Sequence, residues 1–391
     1  MINSLLGLEV TRQIPAEVAT GLLTGRYSLH GGVIRYAVGT EHAGQIVRHL
    51  LPVAKGTLDV GFDLFTSPVS AVFEAFNSYQ LMKVLRNLDA LQAATQQVLH
   101  IATGTMLLSG LTLTASAVGF AAIGRRLNQL EGKLNELQKD VRAIRYLLEL
   151  EERSRLEAAV KDLRYGIETE NPTNRRALLF NARNVLGPVS LKYRALLADH
   201  DKTLEEAIVC EEYYFLTSLA HARCIAELGM LDVAARELGE MQIFWQAEAR
   251  YIANHHLLGE SPERFLHSDF AESVPITTLI GWLDFAHGEP KGYDWVDELR
   301  QKTAPWYAKG WRDTLPKRLI SYQLPKETAR VMPSLQKLVA KNDVLEGYTG
   351  QYDLLRESDI TPSAFDRELA EVVERSNIDD FLILSSSSSA P

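Results

Sequence analysis

One apolar stretch dominates the chain: residues 98–123 read VLHIATGTMLLSGLTLTASAVGFAAI. Charged side chains are missing from Ala90 to Gly124, with His100 taken as neutral. A helix over residues 98–123 would be about 39 Å long at about 1.5 Å per residue, whereas the hydrocarbon core of a bilayer is about 30 Å thick. The stretch is therefore long enough to cross a bilayer once, with some tilt.

The composition of this stretch leaves its form in a membrane open. Its hydroxyl side chains can bond to the helix backbone, which makes them tolerable in lipid. Small residues four positions apart, such as Ala115 and Gly119, allow two helices to approach closely. Ser109-Gly110 lies near the middle, where glycine weakens a helix. The stretch therefore fits either one span or a hairpin of two short arms.

Large apolar side chains and a basic pair define the predicted membrane site. We expect insertion to depend on Leu107, Leu108, Leu111, Leu113, Val118 and Phe120. Arg125 and Arg126 follow directly, and basic residues commonly anchor the end of a span at the interface. The sequence therefore predicts a lipid membrane as a partner.

A heptad pattern begins immediately after the two arginines. Its apolar positions alternate at spacings of three and four, as the a and d positions of a coiled coil do: Leu127, Leu130, Leu134, Leu137, Val141, Ile144 and Leu148. Upstream, Ser67-Pro68 is a typical helix start, and the apolar pattern of a helix continues from there to about Thr103. The seam predicts a homo-oligomer, or packing against the upstream helix of the same chain.

Residues 67–166 are predicted to form the long helices, and the rest of the chain divides into three parts. In residues 1–55, β-rich runs at Tyr27–His30, Val33–Val38 and Gln45–Leu50 are separated by glycines, which predicts a small hairpin or meander. Residues 377–391 form a tail. Its Phe381-Leu-Ile-Leu run is predicted to be a docking strand, and its serine-rich end is predicted to be disordered.

Residues 173–376 are predicted to form a separate α-helical domain, which makes the fold class mainly α. Glu205–Glu227 and Leu231–Ala253 are expected to be an antiparallel helix pair, while Gly187-Pro188 and Gly347–Gly350 are expected to interrupt helices. The domain holds all the tryptophans, which we expect in the core rather than in a binding groove: Trp245, Trp282, Trp295, Trp306 and Trp311.

Composition and motifs exclude several functions. The formal net charge of −9 does not favour nucleic acid as a partner. Phosphate-binding loops, nucleophile elbows, zinc-protease motifs and dinucleotide fingerprints are all missing, so we predict no enzyme and no cofactor. The histidine groups His30, His42, His49 and His255, His256, His267 fit no standard metal-ligand spacing. Cys210 and Cys224 are too far apart along one helix for a disulfide and are expected to be buried thiols.

Two long helical stems around an apolar hairpin resemble the cytolysin A-type α-helical pore-forming toxins. The corresponding parts would be a stem at Pro68–Gln97, a tongue at Val98–Ile123 and a second stem at Arg125–Arg164. The resemblance covers about a quarter of the chain. It implies a protein that folds in water, oligomerises and inserts its tongue into a membrane, as a toxin or as a bacterial effector in phage defence does.

Three functions thus compete, and the third of them is an unrecognised enzyme in the C-terminal helical domain. The first is a membrane-active effector that is cytoplasmic, since Met1–Glu9 lacks the basic start of a secretory signal, and that becomes membrane-associated. The alternative is a soluble coiled-coil scaffold in which residues 98–123 form a buried core helix and the C-terminal helical domain binds a protein partner.

Overall fold

The computed structural model describes residues 9–11, 17–18, 21, 26–30, 33–37, 40–43, 45–52, 150–266, 274, 276–308, 331–368 and 381–385. These residues are mainly α-helical, which confirms the predicted fold class. The apolar stretch at 98–123 and the heptads at 127–148 lie outside the described residues. So does most of the predicted stem at 68–97 and 125–164, of which 150–164 is described.

A five-stranded antiparallel sheet joins the two ends of the chain. Its strands are β1 (Glu9–Thr11), β2 (Tyr27–His30), β3 (Val33–Tyr36), β4 (Ile46–Pro52) and β5 (Phe381–Ser385). Their order is β1-β5-β4-β3-β2. The predicted meander is thus confirmed as β2, β3 and β4, and the predicted strand near the C-terminus lies between β1 and β4.

Residues 53–149, which follow β4, lie outside the described part of the chain. Four long helices come after them. They are α1 (Leu150–Glu168), α2 (Pro172–Leu197), α3 (Leu204–Glu227) and α4 (Leu231–Tyr251). The side chain of Asn171 accepts hydrogen bonds from the first backbone N–H groups of α2, and Thr203 and Glu206 cap α3 reciprocally. Gly229, with φ of +80°, makes the turn that reverses the chain into α4, which confirms the predicted helix pair.

The described residues after α4 complete the helical body. A π-helical turn at Ile252–Leu258 extends α4, and a 3-10 turn covers Pro262–Leu266. They are followed by α5 (Ile276–His287), α6 (Asp294–Ala308) and α7 (Met332–Glu357). A short helical stretch at 362–368 packs against the end of this body, with Phe365 fully buried.

Helix α3 lies at the centre of the packing. It contacts α2 and α4 on either side, and buried side chains occupy every face of it. The buried apolar cluster around it includes residues of α1, such as Leu156 and Leu163, and extends to Tyr352 of α7. Helix α7 also contacts β2, β3 and β4, so it joins the sheet to the helices. The described helices therefore have a core of their own.

Two predicted helix interruptions are wrong. Helix α2 continues through Gly187-Pro188, and α7 continues through Gly347–Gly350. A Cβ atom at Gly187 would lie 3.0 Å from Nε2 of His221, so glycine permits the close approach of α2 and α3. Glycine and proline destabilise a helix because their helix propensity is low. The burial of neighbouring residues, such as Leu345 and Tyr348 in α7, outweighs this cost.

Within the described residues, the helices are either too short or too polar to cross a bilayer.

Candidate functional site

Helix α3 carries charged side chains in the interior of the body. Glu211, Glu212, Arg223 and Glu227 are each at most 6% exposed, although ionised groups are rarely buried without partners. They form two clusters, one in the N-terminal half of the helix and one near its C-terminal end. We call them the Glu211 cluster and the Arg223 cluster.

The Glu211 cluster joins α3 to α4 and α7. Nζ of Lys341, a side chain with no exposed surface, lies 2.8 and 2.6 Å from the two carboxylate oxygens of Glu211 and 3.0 Å from Oε2 of Glu212. The indole N–H of Trp245 donates a 2.7 Å hydrogen bond to Glu211, and Lys337 forms an ion pair with Glu212. Three helices are thus tied together by charge-assisted hydrogen bonds.

The Arg223 cluster joins α3 to α2 and to the helical stretch at 362–368. Arg223 donates from Nε to Glu227 at 2.8 Å and from Nη2 to Asp366 at 2.7 Å. Arg175 of α2 donates to Glu227 at 2.5 Å and to Ser363 at 2.9 Å. The hydroxyl of Ser363 in turn donates to Glu227 at 2.6 Å, so five side chains share one network.

The electrostatics of the Arg223 cluster favour ionised groups. Burial by itself lowers the pKa of Arg223, but the charges of Asp366 and Glu227 outweigh burial and raise that pKa. Burial also raises the pKa of the nearby Tyr352 and Tyr348 hydroxyls, which therefore remain protonated. The cluster is consequently a set of matched charges that fixes the positions of the helices around α3.

Histidines and cysteines of the body show no metal-binding arrangement. Tyr251 is stacked between the rings of His200 and His255, at 3.8 and 4.1 Å between ring centroids. Both cysteines are free and buried as predicted, and burial raises the pKa of Cys210 to about 11. Across the described ranges, no group of three potential ligands could hold a metal ion.

No family model, curated protein or solved structure matches the chain.

The predicted membrane and coiled-coil residues lie outside the described part of the chain. This applies to the insertion set (Leu107, Leu108, Leu111, Leu113, Val118 and Phe120), to Arg125 and Arg126, and to the whole heptad series. Three of the five tryptophans, Trp245, Trp282 and Trp295, are at most 7% exposed, which confirms core packing for them.

Residues 53–149, which include the apolar stretch, connect two described elements. They follow Pro52, the last residue of β4, which pairs with Phe381 of β5. They precede Leu150, the first residue of α1, and Leu156, Ala159 and Leu163 hold α1 in the core. The chain therefore leaves the sheet after β4 and enters the helical body at α1.

The ionic clusters were not foreseen from the sequence, although a signal for them exists. Apolar residues occur on every face of α3, as they do in a fully buried helix, and yet the helix also contains Glu211-Glu212 and the Arg223–Glu227 pair. Charges in such a helix must find buried partners. Their partners Lys341 and Asp366 lie more than a hundred residues away, where no sequence spacing identifies them.

Proposed function

We propose that the chain is a membrane-active helical effector that oligomerises through Leu127–Leu148 and inserts residues 98–123 into a bilayer. The observation that carries this proposal is the charge-free run from Ala90 to Gly124, which ends at Arg125-Arg126. It exceeds the roughly 20 apolar residues that a transmembrane helix needs. In this proposal the protein is made in the cytoplasm and becomes membrane-associated when it acts.

The packing of the described helices supports a separate role for the apolar stretch. The buried cluster runs from Leu156 to Tyr352, and the Glu211 and Arg223 clusters tie its helices together. We expect a body with such a core to fold without residues 98–123. The stretch is consequently available for a role outside that core.

The phase of the heptads supports oligomerisation. Continued past Leu148, the spacing of three and four reaches positions 151, 155, 158 and 162. Arg155 and Ala158 are exposed, and Asp162 is half-buried. The buried residues of α1 come one position later, at Leu156, Ala159 and Leu163. In a helix continuous with α1, the heptad seam would be out of phase with the face that α1 packs on the body, so its partner would be a second copy or the upstream helix of the same chain.

Flotation with lipid vesicles tests this proposal. Full-length protein should float with vesicles of phosphatidylcholine alone at high salt, where binding by basic side chains is weak, whereas a variant in which a glycine-serine linker replaces residues 98–123 should remain at the bottom of the gradient. Thermal melting followed by circular dichroism should show the helical body intact in both proteins. Equal flotation of the two proteins, or flotation of neither, would contradict membrane insertion by this stretch.

A further inference from the structure

Helix α2 presents an unusual outer surface. Four of its exposed residues, Arg176, Phe180, Leu191 and Arg194, fall within an arc of about 60° when plotted at about 100° per residue. Phe180 is 37% exposed and Leu191 is 64% exposed. We call these four residues the α2 stripe. It combines large apolar side chains with arginines in two pairs that span about 27 Å of helix, one pair on each side of Gly187, where His221 of α3 approaches the same arc.

The charge of α2 has one sign. The helix contains Arg175, Arg176, Arg183, Lys192 and Arg194 and no acidic residue, although the whole chain has a formal net charge of −9. Part of this positive charge is used internally, because Arg175 binds Glu227 in the Arg223 cluster. Arg183 helps His221, which forms a hydrogen bond to Glu237, to lower the pKa of that carboxyl.

The two arginines of the stripe are held differently. The guanidinium of Arg176 lies 5.7 Å from the ring centre of Phe180, and that of Arg194 lies 4.7 Å from the ring centre of Phe244. The side chains of Arg176 and Arg194 are both exposed to solvent. Their contacts with aromatic rings orient the charges without neutralising them. The stripe therefore presents positive charge beside exposed apolar surface.

This combination matches the surface of an anionic bilayer. Helices that bind at the membrane interface place aromatic and aliphatic side chains at the headgroup boundary, with arginine and lysine beside them. Arginine extends its charged end to the headgroups while its methylene groups cover apolar surface. A single exposed leucine needs no explanation, but Leu191 and Phe180 share a stripe with two arginines on a helix without acidic residues.

We propose that the α2 stripe binds anionic phospholipid headgroups and thereby selects the membrane into which residues 98–123 insert. This inference rests on the proposed function and adds to it the class of target membrane. Helix α1 packs along α2, and residues 53–149 enter the helical body through α1. Docking by the stripe therefore brings the entry point of that segment close to the lipid surface.

The test measures how full-length protein partitions onto vesicles of phosphatidylcholine alone and of phosphatidylcholine with about 30 mol% phosphatidylglycerol. Wild-type protein should prefer the anionic vesicles, and the preference should weaken as salt is added. The double change Arg176→Gln with Arg194→Gln should lower binding to anionic vesicles about 30-fold, from about a fivefold loss for each arginine near the surface. Phe180→Ser with Leu191→Ser should lower binding to both kinds of vesicle.

Matched controls lie on other elements. Arg300→Gln with Arg367→Gln removes two exposed charges from α6 and from the helical stretch at 362–368, and Ile243→Ser removes a side chain of α4 that is 74% exposed. These controls should bind anionic vesicles within about twofold of wild type. All variants change exposed positions, so their thermal melting should match wild type, and this is checked before binding is compared.

The outcomes separate this inference from the proposed function. Leu111→Asp should retain charge-dependent binding through the stripe and lose vesicle leakage. If the arginine variant binds anionic vesicles as tightly as wild type while leakage still depends on Leu111, the stripe proposal is overturned and the proposed function stands. If wild-type protein ignores both kinds of vesicle, both fail. An acidic protein then becomes the partner to test on the stripe.

Discussion

Lys341 shows what a buried charge does in this protein. Its ammonium group is surrounded by Glu211 and Glu212, and the indole of Trp245 satisfies one further carboxylate lone pair. Removing two charges from water is costly, and their attraction repays the cost only when the geometry is good and other hydrogen bonds complete it. The Glu211 cluster meets both conditions, so its value lies in fixing how α3, α4 and α7 pack.

Loss of the lysine charge should therefore destabilise the body. We expect Lys341→Met to lower the free energy of unfolding in urea by about 3–5 kcal/mol, because Glu211 is left buried without its cationic partner. Lys337→Met should cost about 1 kcal/mol or less, since that side chain is 24% exposed. Adding Glu211→Gln to Lys341→Met should restore part of the loss. Wild-type stability of the single Lys341→Met variant would contradict this account of the cluster.

The sequence predicts the burial of some of these interior side chains but not of others. The two cysteines were predicted to be buried thiols because they lie in a strongly apolar helix, and burial follows from the local pattern. Lys341, in contrast, lies in a helix with charged and polar neighbours, where a lysine normally faces water. Its burial is decided by carboxylates from a different helix, and a single sequence holds no information on that pairing.

Strand β5 shows the same distinction among secondary-structure elements. Its apolar run predicted a strand, but its place between β1 and β4 could not be predicted, because its partners lie at the opposite end of the chain. The predicted breaks in α2 and α7 failed for a related reason. Local propensity disfavours glycine and proline in helices, but tertiary packing overrides this preference. In α7 the packing involves Leu345 and Tyr348, and in α2 it involves the approach of His221 to Gly187.

Ending the chain after residue 380 should loosen the sheet selectively. In the described sheet, β5 is the neighbour of β1, and it also pairs with one side of β4. Amide hydrogen exchange should become at least about tenfold faster at residues 9–11 and 46–52. Exchange in α3 should stay unchanged, because its packing is with other helices. Removing only residues 386–391 is the control. Unchanged exchange at residues 9–11 would count against the strand order.

The heptad segment gives a prediction for assembly. Leu134→Asp with Leu137→Asp introduces two charges into the proposed seam, at a cost of several kcal/mol, and should dissociate the proposed homo-oligomer. Asn135→Asp with Gln138→Asp adds the same charges at positions outside the a and d series and serves as the control. Analytical ultracentrifugation should separate the two variants. Identical sedimentation and melting of both variants and wild type would exclude the coiled coil.

For the whole molecule, we propose that folding and membrane insertion belong to different parts of the chain. The described helices fold around their own core and carry the α2 stripe, and residues 53–149, which lie between β4 and α1, contain the apolar stretch. The mainly helical fold follows from sequence patterns, because helical periodicity is a local property. The proposed function rests on the apolar run, whose length and lack of charge favour a bilayer.

A single substitution, Leu111→Asp, tests this claim most directly. A charge at the centre of an inserted segment costs about 2.5–3.5 kcal/mol, enough to shift an insertion equilibrium about a hundredfold. In a helix buried permanently in a protein core, the same carboxylate would be unpaired in the interior and would damage the fold itself. Leu111→Ala, which shortens the side chain without adding charge, is the matched control.

The measurement compares thermal melting and vesicle leakage for wild type, Leu111→Asp and Leu111→Ala in parallel preparations. The account predicts that Leu111→Asp is soluble, melts as wild type does and releases vesicle contents about a hundredfold less, while Leu111→Ala loses far less leakage. Insoluble or unfolded Leu111→Asp protein would contradict the account and would instead favour a scaffold in which residues 98–123 form a buried helix.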